Sequence, residues 1–312
     1  VRILYRAAVF LNGVIVLDKP QGFTSFDAVA VVRGLSREKK IGHTGTLDPM
    51  ATGVLPLLLG RAAKACDLLA DTGKEYRASF RLGERRDTGD CTGQVVETDE
   101  TPVSRERLEE ALTGFRGDIL QVPPMYSAVS VGGRRLYELA RKGLEVERRA
   151  RPVTIFSLEL GAYDGEAREG ELAVSCSKGT YIRVLIEDIA RAAGTAGTMT
   201  ALRRTRACGF SLEDALPLER LKELAGQGEL PSVLRPADSL FAACPAVSVS
   251  AAQSARFLNG GWLDTARLRL APPPPEEGTL CRIYGPERRF LGLGRWQGEL
   301  GRLDFVKLLG EL

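Results

Sequence analysis

Lys40-Ile-Gly-His-Thr-Gly-Thr-Leu-Asp-Pro-Met-Ala-Thr-Gly-Val-Leu-Pro56 gathers three glycines, two prolines, one acid and the chain's one histidine into a single segment. Gly42, Gly45 and Gly53 permit backbone conformations and close approaches that other residues resist. Pro49 biases Asp48 away from the helical region. The segment therefore reads as a shaped loop that holds the Asp48 carboxylate at a rigid corner. Taken alone, an Asp-Pro corner is most simply a turn in which the aspartate caps its own backbone. No Gly-Lys-Ser/Thr closes the loop as a Walker phosphate site requires, and the lone His43 does not assemble a Ser-His-Asp set.

Outward from this loop, the pattern alternates between strands and helices. Gly13 to Leu17 is a short apolar run closed by Asp-Lys-Pro, and Thr24-Ser25 offers a cap to an apolar segment reaching Leu35. The stretch from Ala8 to Leu17 is interrupted by Asn12-Gly13 and lacks small cleavage-site residues, so it reads as a buried strand rather than an export signal. Lys74 to Leu82 alternates, with Tyr76, Ala78, Phe80 and Leu82 on one side. Leu108, Ala111, Leu112 and Phe115 predict a helix ending near Gly117. Leu172, Val174 and Cys176 predict a strand, and Ile182 to Ala193 a helix stopped by Gly194. Irregular spacing of these elements argues for a mixed or antiparallel sheet with helices, not a doubly wound one. Residues 227 to 250 read as a domain joint. After it, Leu280 to Gly294 suggests a β-rich module, with Ala271 to Gly278 as a Pro-rich loop. Domains 1–244 and 245–312 are expected.

Composition narrows the functional classes. The 312 residues are 44% hydrophobic and 27% charged, as in an ordinary globular protein of about two domains. Lys plus Arg number 43 against 40 Asp plus Glu, so any nucleic-acid surface must be local. Two local surpluses stand out: Arg134 to Arg151, and Arg203, Arg204 and Arg206. Cysteines at 66, 91, 176, 208, 244 and 281 form no C-x-x-C pair, and with one histidine a zinc site is not expected. Scattered cysteines point to reduced thiols and a cytoplasmic setting. No apolar run approaches the roughly 20 residues of a membrane span.

Gly42-His-Thr-Gly-Thr-Leu-Asp-Pro-Met-Ala-Thr-Gly53 resembles the signature loop of the TruB family of tRNA pseudouridine-55 synthases. Further stretches resemble the family's motifs in the same order. They are Leu17-Asp-Lys-Pro20 with Gly22, Thr24 and Ser25; Lys74-Glu-Tyr-Arg77 with Leu82-Gly83 to Gly93; and Gln121-Val-Pro-Pro-Met-Tyr-Ser-Ala128 with Leu136-Tyr137 and Leu139-Ala-Arg141. Cys176-Ser-Lys-Gly-Thr-Tyr-Ile-Arg183 and Ala201-Leu-Arg-Arg-Thr205 complete the set. The resemblance covers residues 12 to 210 strongly and is weaker beyond 245. One departure is Ser130, where the family usually carries a basic residue that Arg134 or Arg135 could replace. The Pro-rich insertion is another.

The resemblance implies an α+β pseudouridine synthase fold: a mixed, largely antiparallel sheet flanked by helices, plus a small C-terminal β-barrel of PUA type. It also implies the isomerisation of a T-loop uridine, with tRNA as partner, no protein partner or membrane, a monomer, and neither cofactor nor metal. Asp48 is then the catalytic residue, acting as a nucleophile at sugar or base, or as a base at the sugar. A carboxylate in a closed pocket needs a cation, and Arg183 is the candidate. Tyr76 would face the flipped base rather than simply pack in the core. Leu202 would close an apolar wall, with Tyr181 packed against the site. His43 would stack in the space the uridine vacates. Thr44 and Asp90 match positions near the RNA or the active-site arginine. Lys19, Arg134, Arg141 and Arg203 complete the expected substrate contacts.

Overall fold

The computed structural model describes residues 11–69, 73–99, 101–268 and 273–310. The first apolar run is β1 (Gly13–Lys19), buried along nearly its whole length. The part of that expected strand at residues 8 to 10 lies outside the described residues. Next comes α1 (Ser25–Ser36), opened by a reciprocal cap in which Thr24 Oγ1 accepts from the Asp27 backbone N–H and the Asp27 carboxylate accepts from the Thr24 N–H. Such caps are worth about 1 kcal/mol. The glycine-rich segment runs between β2 (Ile41–His43) and β3 (Thr52–Leu59). In β4 (Lys74–Leu82) the expected alternation holds, with Tyr76, Ala78, Phe80 and Leu82 buried.

A hairpin of β5 (Glu84–Arg86) and β6 (Val95–Thr98) precedes α2 (Arg105–Thr113). This helix stops short of the expected end near Gly117. Gly114 caps it, and Gly117, at φ +83°, opens β7 (Gly117–Gln121) instead. A small hairpin, β8 (Ser130–Val131) and β9 (Arg134–Arg135), leads into α3 (Leu136–Ala140). The long strands β10 (Arg151–Asp164) and β11 (Glu169–Cys176) are followed by α4 (Ile182–Ala193), which Gly194 terminates in the left-handed conformation. Then come β12 (Gly197–Ala207), β13 (Phe210–Ser211), β14 (Leu216–Pro217) and α5 (Leu218–Gln227).

These strands form one sheet in the order β14-β1-β3-β12-β4-β11-β10-β7, with β2 on β3 and β13 on β12. The β1–β14 and β3–β12 pairs are parallel and the others antiparallel, so the sheet is mixed and largely antiparallel as expected. Both faces are covered. Ile15, Leu17, Leu55 and Leu57 join the core beneath the helices, whereas Val14, Val16, Val54 and Leu58 join a second core on the opposite face.

The C-terminal region forms a five-stranded sheet from β15 (Ala246–Ser248), β16 (Leu263–Asp264), β17 (Leu280–Tyr284), β18 (Phe290–Gln297) and β19 (Arg302–Leu308), with α6 (Ala251–Leu258). Its Leu293 and Leu309 belong to the second core of the main body. The 227–250 stretch is likewise packed, burying Leu230, Ala237, Leu240 and Phe241, and the Tyr284 hydroxyl donates to Asp238 at 2.6 Å. None of the six cysteines forms a disulfide. No helix among the described residues is long and apolar enough to cross a membrane.

Gly53 is the tightest point between the loop and the sheet. It sits at φ +105°, and a Cβ there would lie 2.2 Å from the Arg204 carbonyl oxygen, a backbone atom that cannot swing aside. Gly53→Ala should therefore lower stability by about 3 kcal/mol. Chemical denaturation checks this; a loss below about 0.5 kcal/mol, ordinary for a benign substitution, would contradict it.

Candidate active site

Asp48 sits between β2 and β3 on a loop tied down at several points. The Leu47 N–H donates to Ser25 Oγ at 2.8 Å, and the Gly22 N–H donates to the Pro49 carbonyl at 2.8 Å. Lys19, fully buried, donates its ammonium to the carbonyls of Pro20 (2.9 Å) and Phe23 (2.5 Å), with Pro49 at 3.5 Å. Lys19 thus acts on the loop from beneath. The corner is not a self-capped Asp-Pro turn alone, because Asp48 Oδ2 receives Arg183 Nε at 3.0 Å.

Arg183 lies in the first turn of α4, buried to all but 5% of its side-chain surface, while about a third of Asp48 remains open. Its other nitrogens are spent on backbone: Nη1 donates to Thr88 O at 2.6 Å and Nη2 to Tyr126 O at 2.9 Å. Asp90 supports this from behind. Its Oδ1 accepts from the Thr92 N–H at 3.0 Å and from the Thr88 hydroxyl at 2.9 Å, leaving Oδ2 4.0 Å from Arg183 Nη1. Asp90 therefore reaches the site through Arg183.

Asp48 and Arg183 line a cavity of about 220 Å³ together with Tyr76, Ser127, Tyr181 and Leu202. Strand alternation explains the strand contributions: Tyr76 comes from the inward face of β4 and Leu202 from neighbouring β12, where Leu202 pairs with Ala78. Tyr181 precedes α4 and is held through its backbone, its N–H donating to Gln121 Oε1 at 3.0 Å. The cavity meets a larger cleft of about 580 Å³ at Thr46, Lys74, Gly179 and Tyr181. His43 and Thr44 line that outer cleft, as do Arg151 and Lys178.

Electrostatics sort these groups. Burial pushes the Asp48 carboxyl up, the Arg183 guanidinium opposes that rise, Asp90 adds to it and Lys19 opposes it. Burial lowers Lys19 to about 8, a shift resisted by Asp48. Tyr76 is pushed up to about 12 by burial despite the nearby Arg204, so its hydroxyl keeps its proton at neutral pH. Burial, aided by Arg204, holds His43 below its usual value, leaving a flat neutral ring in the cleft.

Other expected contacts lie elsewhere. Arg203 pairs with Asp18 at 2.8 Å and lines a separate cleft beside Lys19 and Pro217. Arg134 is exposed on the β8–β9 hairpin. Arg141 is also exposed, its guanidinium 5.5 Å from the centre of the Tyr137 ring. Neither lines the two cavities. Sequence reasoning gave Lys74 and Lys178 only as members of longer motifs, and Arg151 and Arg204 only as members of basic clusters, without assigning any of the four to this site. Lys74 had a usable signal, since it stands two residues before Tyr76 on the same strand face.

Among solved structures, the chain is similar to a Cbf5-Nop10-Gar1 complex, with a TM-score of 0.74 and 27% identity over 99% of this chain and 87% of that one. It is equally similar to an H/ACA RNP bound to a substrate RNA containing 2'-deoxyuridine, with a TM-score of 0.74 and 25% identity over 95% and 84% of the two chains. Sheet, helices and cavity together define the pseudouridine synthase fold. Residues 33–182 match the model of the TruB family pseudouridylate synthase N-terminal domain, 183–242 the tRNA pseudouridylate synthase B C-terminal domain, and 245–303 the pseudouridine synthase II TruB C-terminal model. A protein of Cupriavidus metallidurans named tRNA pseudouridine synthase B is 44% identical over 96% of this chain and 95% of its own. One of the same name from Escherichia coli is 41% identical over 96% of each. The chain belongs to the TruB family.

A working Asp48 must be ionised, so the rate should fall as pH drops through a carboxyl pKa lying above the ordinary 3.8. Arg183→Met removes the main opposing attraction. It should move this acid limb to higher pH and lower the neutral-pH rate about 100-fold or more. Single-turnover rates across pH check this; an unmoved limb would contradict it.

Proposed function

We propose that the protein isomerises uridine 55 of the tRNA T-loop to pseudouridine. The observation that carries this reading is the Asp48–Arg183 pair in a nucleoside-scale cavity whose walls are Tyr76, Tyr181 and Leu202. A uridine stacked within a folded loop must leave the stack to reach it, at a cost of a few kcal/mol. Once inside, the base meets the Tyr76 ring and the Leu202 side chain, contacts worth about 1 to 3 kcal/mol per stacked base. The bond from N1 to C1′ breaks, the uracil turns while held, and C5 bonds to C1′. This rearrangement is redox-neutral and its atoms balance without a cofactor. Asp48 is the one carboxyl group among the described residues lining the cavity, and as a carboxylate it can attack sugar or base, or take a proton from the sugar.

His43 stands on the outer cleft five residues before Asp48, placed to fill the vacated space in the RNA. Lys74, Lys178 and Arg151 give that cleft its positive lining, and the RNA backbone is assigned to it. The 245–312 region is the accessory RNA-binding module. One chain supplies Asp48, Tyr76 and Arg183, which supports action as a monomer. Six cysteines outside any disulfide and the tRNA substrate support a cytoplasmic setting. Relatives that share 41 to 44% identity carry the tRNA synthase name, which favours tRNA over guide-RNA-dependent modification.

Incubating the protein with unmodified tRNA transcript should place pseudouridine at position 55. Asp48→Asn should abolish product yet retain tRNA affinity. Residual turnover, or product at another site alone, would refute the assignment. Replacing Arg151 and Lys178 by Ala should flatten the dependence of log affinity on log salt by about 1.5, the share of two phosphate contacts. An unchanged slope would move the RNA path elsewhere.

A further inference from the structure

Arg204 is the largest side chain without solvent exposure among the described residues. Its Nε donates to the Val54 carbonyl at 2.7 Å and its Nη2 to the Gly45 carbonyl at 3.3 Å. Gly45 and Val54 flank Asp48 on its two sides, so one planar fork ties both limbs of the catalytic loop to β12. The backbone repeats the tie, because Arg204 pairs with Gly53 across the parallel β3–β12 ladder. On its other side Arg204 pairs with Tyr76 of β4. Its Nη1 has no hydrogen-bond partner, and no carboxylate of the described residues forms an ion pair with it. A guanidinium buried without a counter-ion is costly. Here its charge bears on Tyr76, His43 and Lys19 together.

We propose that Arg204 is a positioning residue for the isomerisation, its fork spanning the flanks of the Asp48 loop and its backbone holding the loop's Gly53 on one side and Tyr76 on the other. Carboxylate and phenol then meet the everted uridine in one geometry. The inference rests on the reaction assigned above. Arg204 has no surface from which to reach a phosphate, so its effect belongs to the chemical step and not to RNA affinity. Lysine cannot replace it, because a single ammonium lacks the rigid fork that spans two carbonyls and, beside Lys19, sheds its proton more readily.

Arg204→Lys tests this with three measurements on the full-length protein: the single-turnover rate on tRNA transcript, the tRNA Kd, and amide hydrogen exchange. The rate should fall about 100-fold, as expected when reacting groups shift by about 1 Å. The Kd should stay within about two-fold of wild type, since no phosphate contact is lost. Exchange should quicken in residues 45–54 while α4 and the C-terminal sheet keep their protection. A wild-type rate, a Kd weakened by the same factor as the rate, or unaltered exchange in 45–54 would each overturn the proposal. Arg204→Gln is the second variant. If both variants lose the fold, or exchange quickens everywhere alike, Arg204 serves stability alone and the proposal also fails. A wild-type protein that makes no pseudouridine would refute the assigned reaction instead, while exchange in Arg204→Lys would still report on the clamp.

Discussion

One ion pair, Asp48 with Arg183, sets the terms for the rest of the molecule. A carboxylate enclosed by protein loses its hydration, and an isolated buried charge costs several kcal/mol. Arg183 offsets that cost only because it is immobile. Its two Nη atoms are bound to backbone carbonyls, which leaves Nε to face the carboxylate. An exposed arginine would satisfy Asp48 equally well on paper, but would not hold the carboxylate aimed at a cavity.

The fold explains how such distant pieces meet. Arg183 reaches Asp48 because α4 begins where β11 ends, and Thr88 and Tyr126 come from two loops that close over that helix start. The loop bearing Asp48 is held from below by Lys19 and from the side by Ser25, so it enters the cavity already shaped. Since both sheet faces are buried, a shift of β3 or β12 would disturb two cores at once. The C-terminal sheet shares the second of those cores through Leu293, so it packs against the main sheet.

Much of this was legible from residue order. Alternation along Lys74 to Leu82 placed Tyr76 inward, and Thr24 announced the start of α1. The resemblance located Asp48 and Arg183, which no local pattern would have joined across 135 positions of chain. The limits were physical. In Ala201-Leu-Arg-Arg-Thr205 two arginines stand side by side, and only strand parity tells which faces the loop. The β12–β4 ladder is unbroken from Ala201 to Arg204, so Arg204 shares the inward face of Leu202 and Arg203 turns the other way. Arg203 was singled out because a basic residue was expected at the RNA surface, while Arg204 is the one turned inward. The end of α2 was misplaced for a related reason: Gly114 and Gly117 both punctuate, and only the pairing of β7 with β10 shows which one starts the strand.

The most direct test is the structure of the Asp48→Asn protein bound to a T-arm RNA. The uridine should lie out of its stack, with its C1′ in van der Waals contact with the side chain at position 48 and its base between Tyr76 and Leu202. A uridine still stacked in the RNA loop, or lodged away from the Arg183 guanidinium, would contradict it.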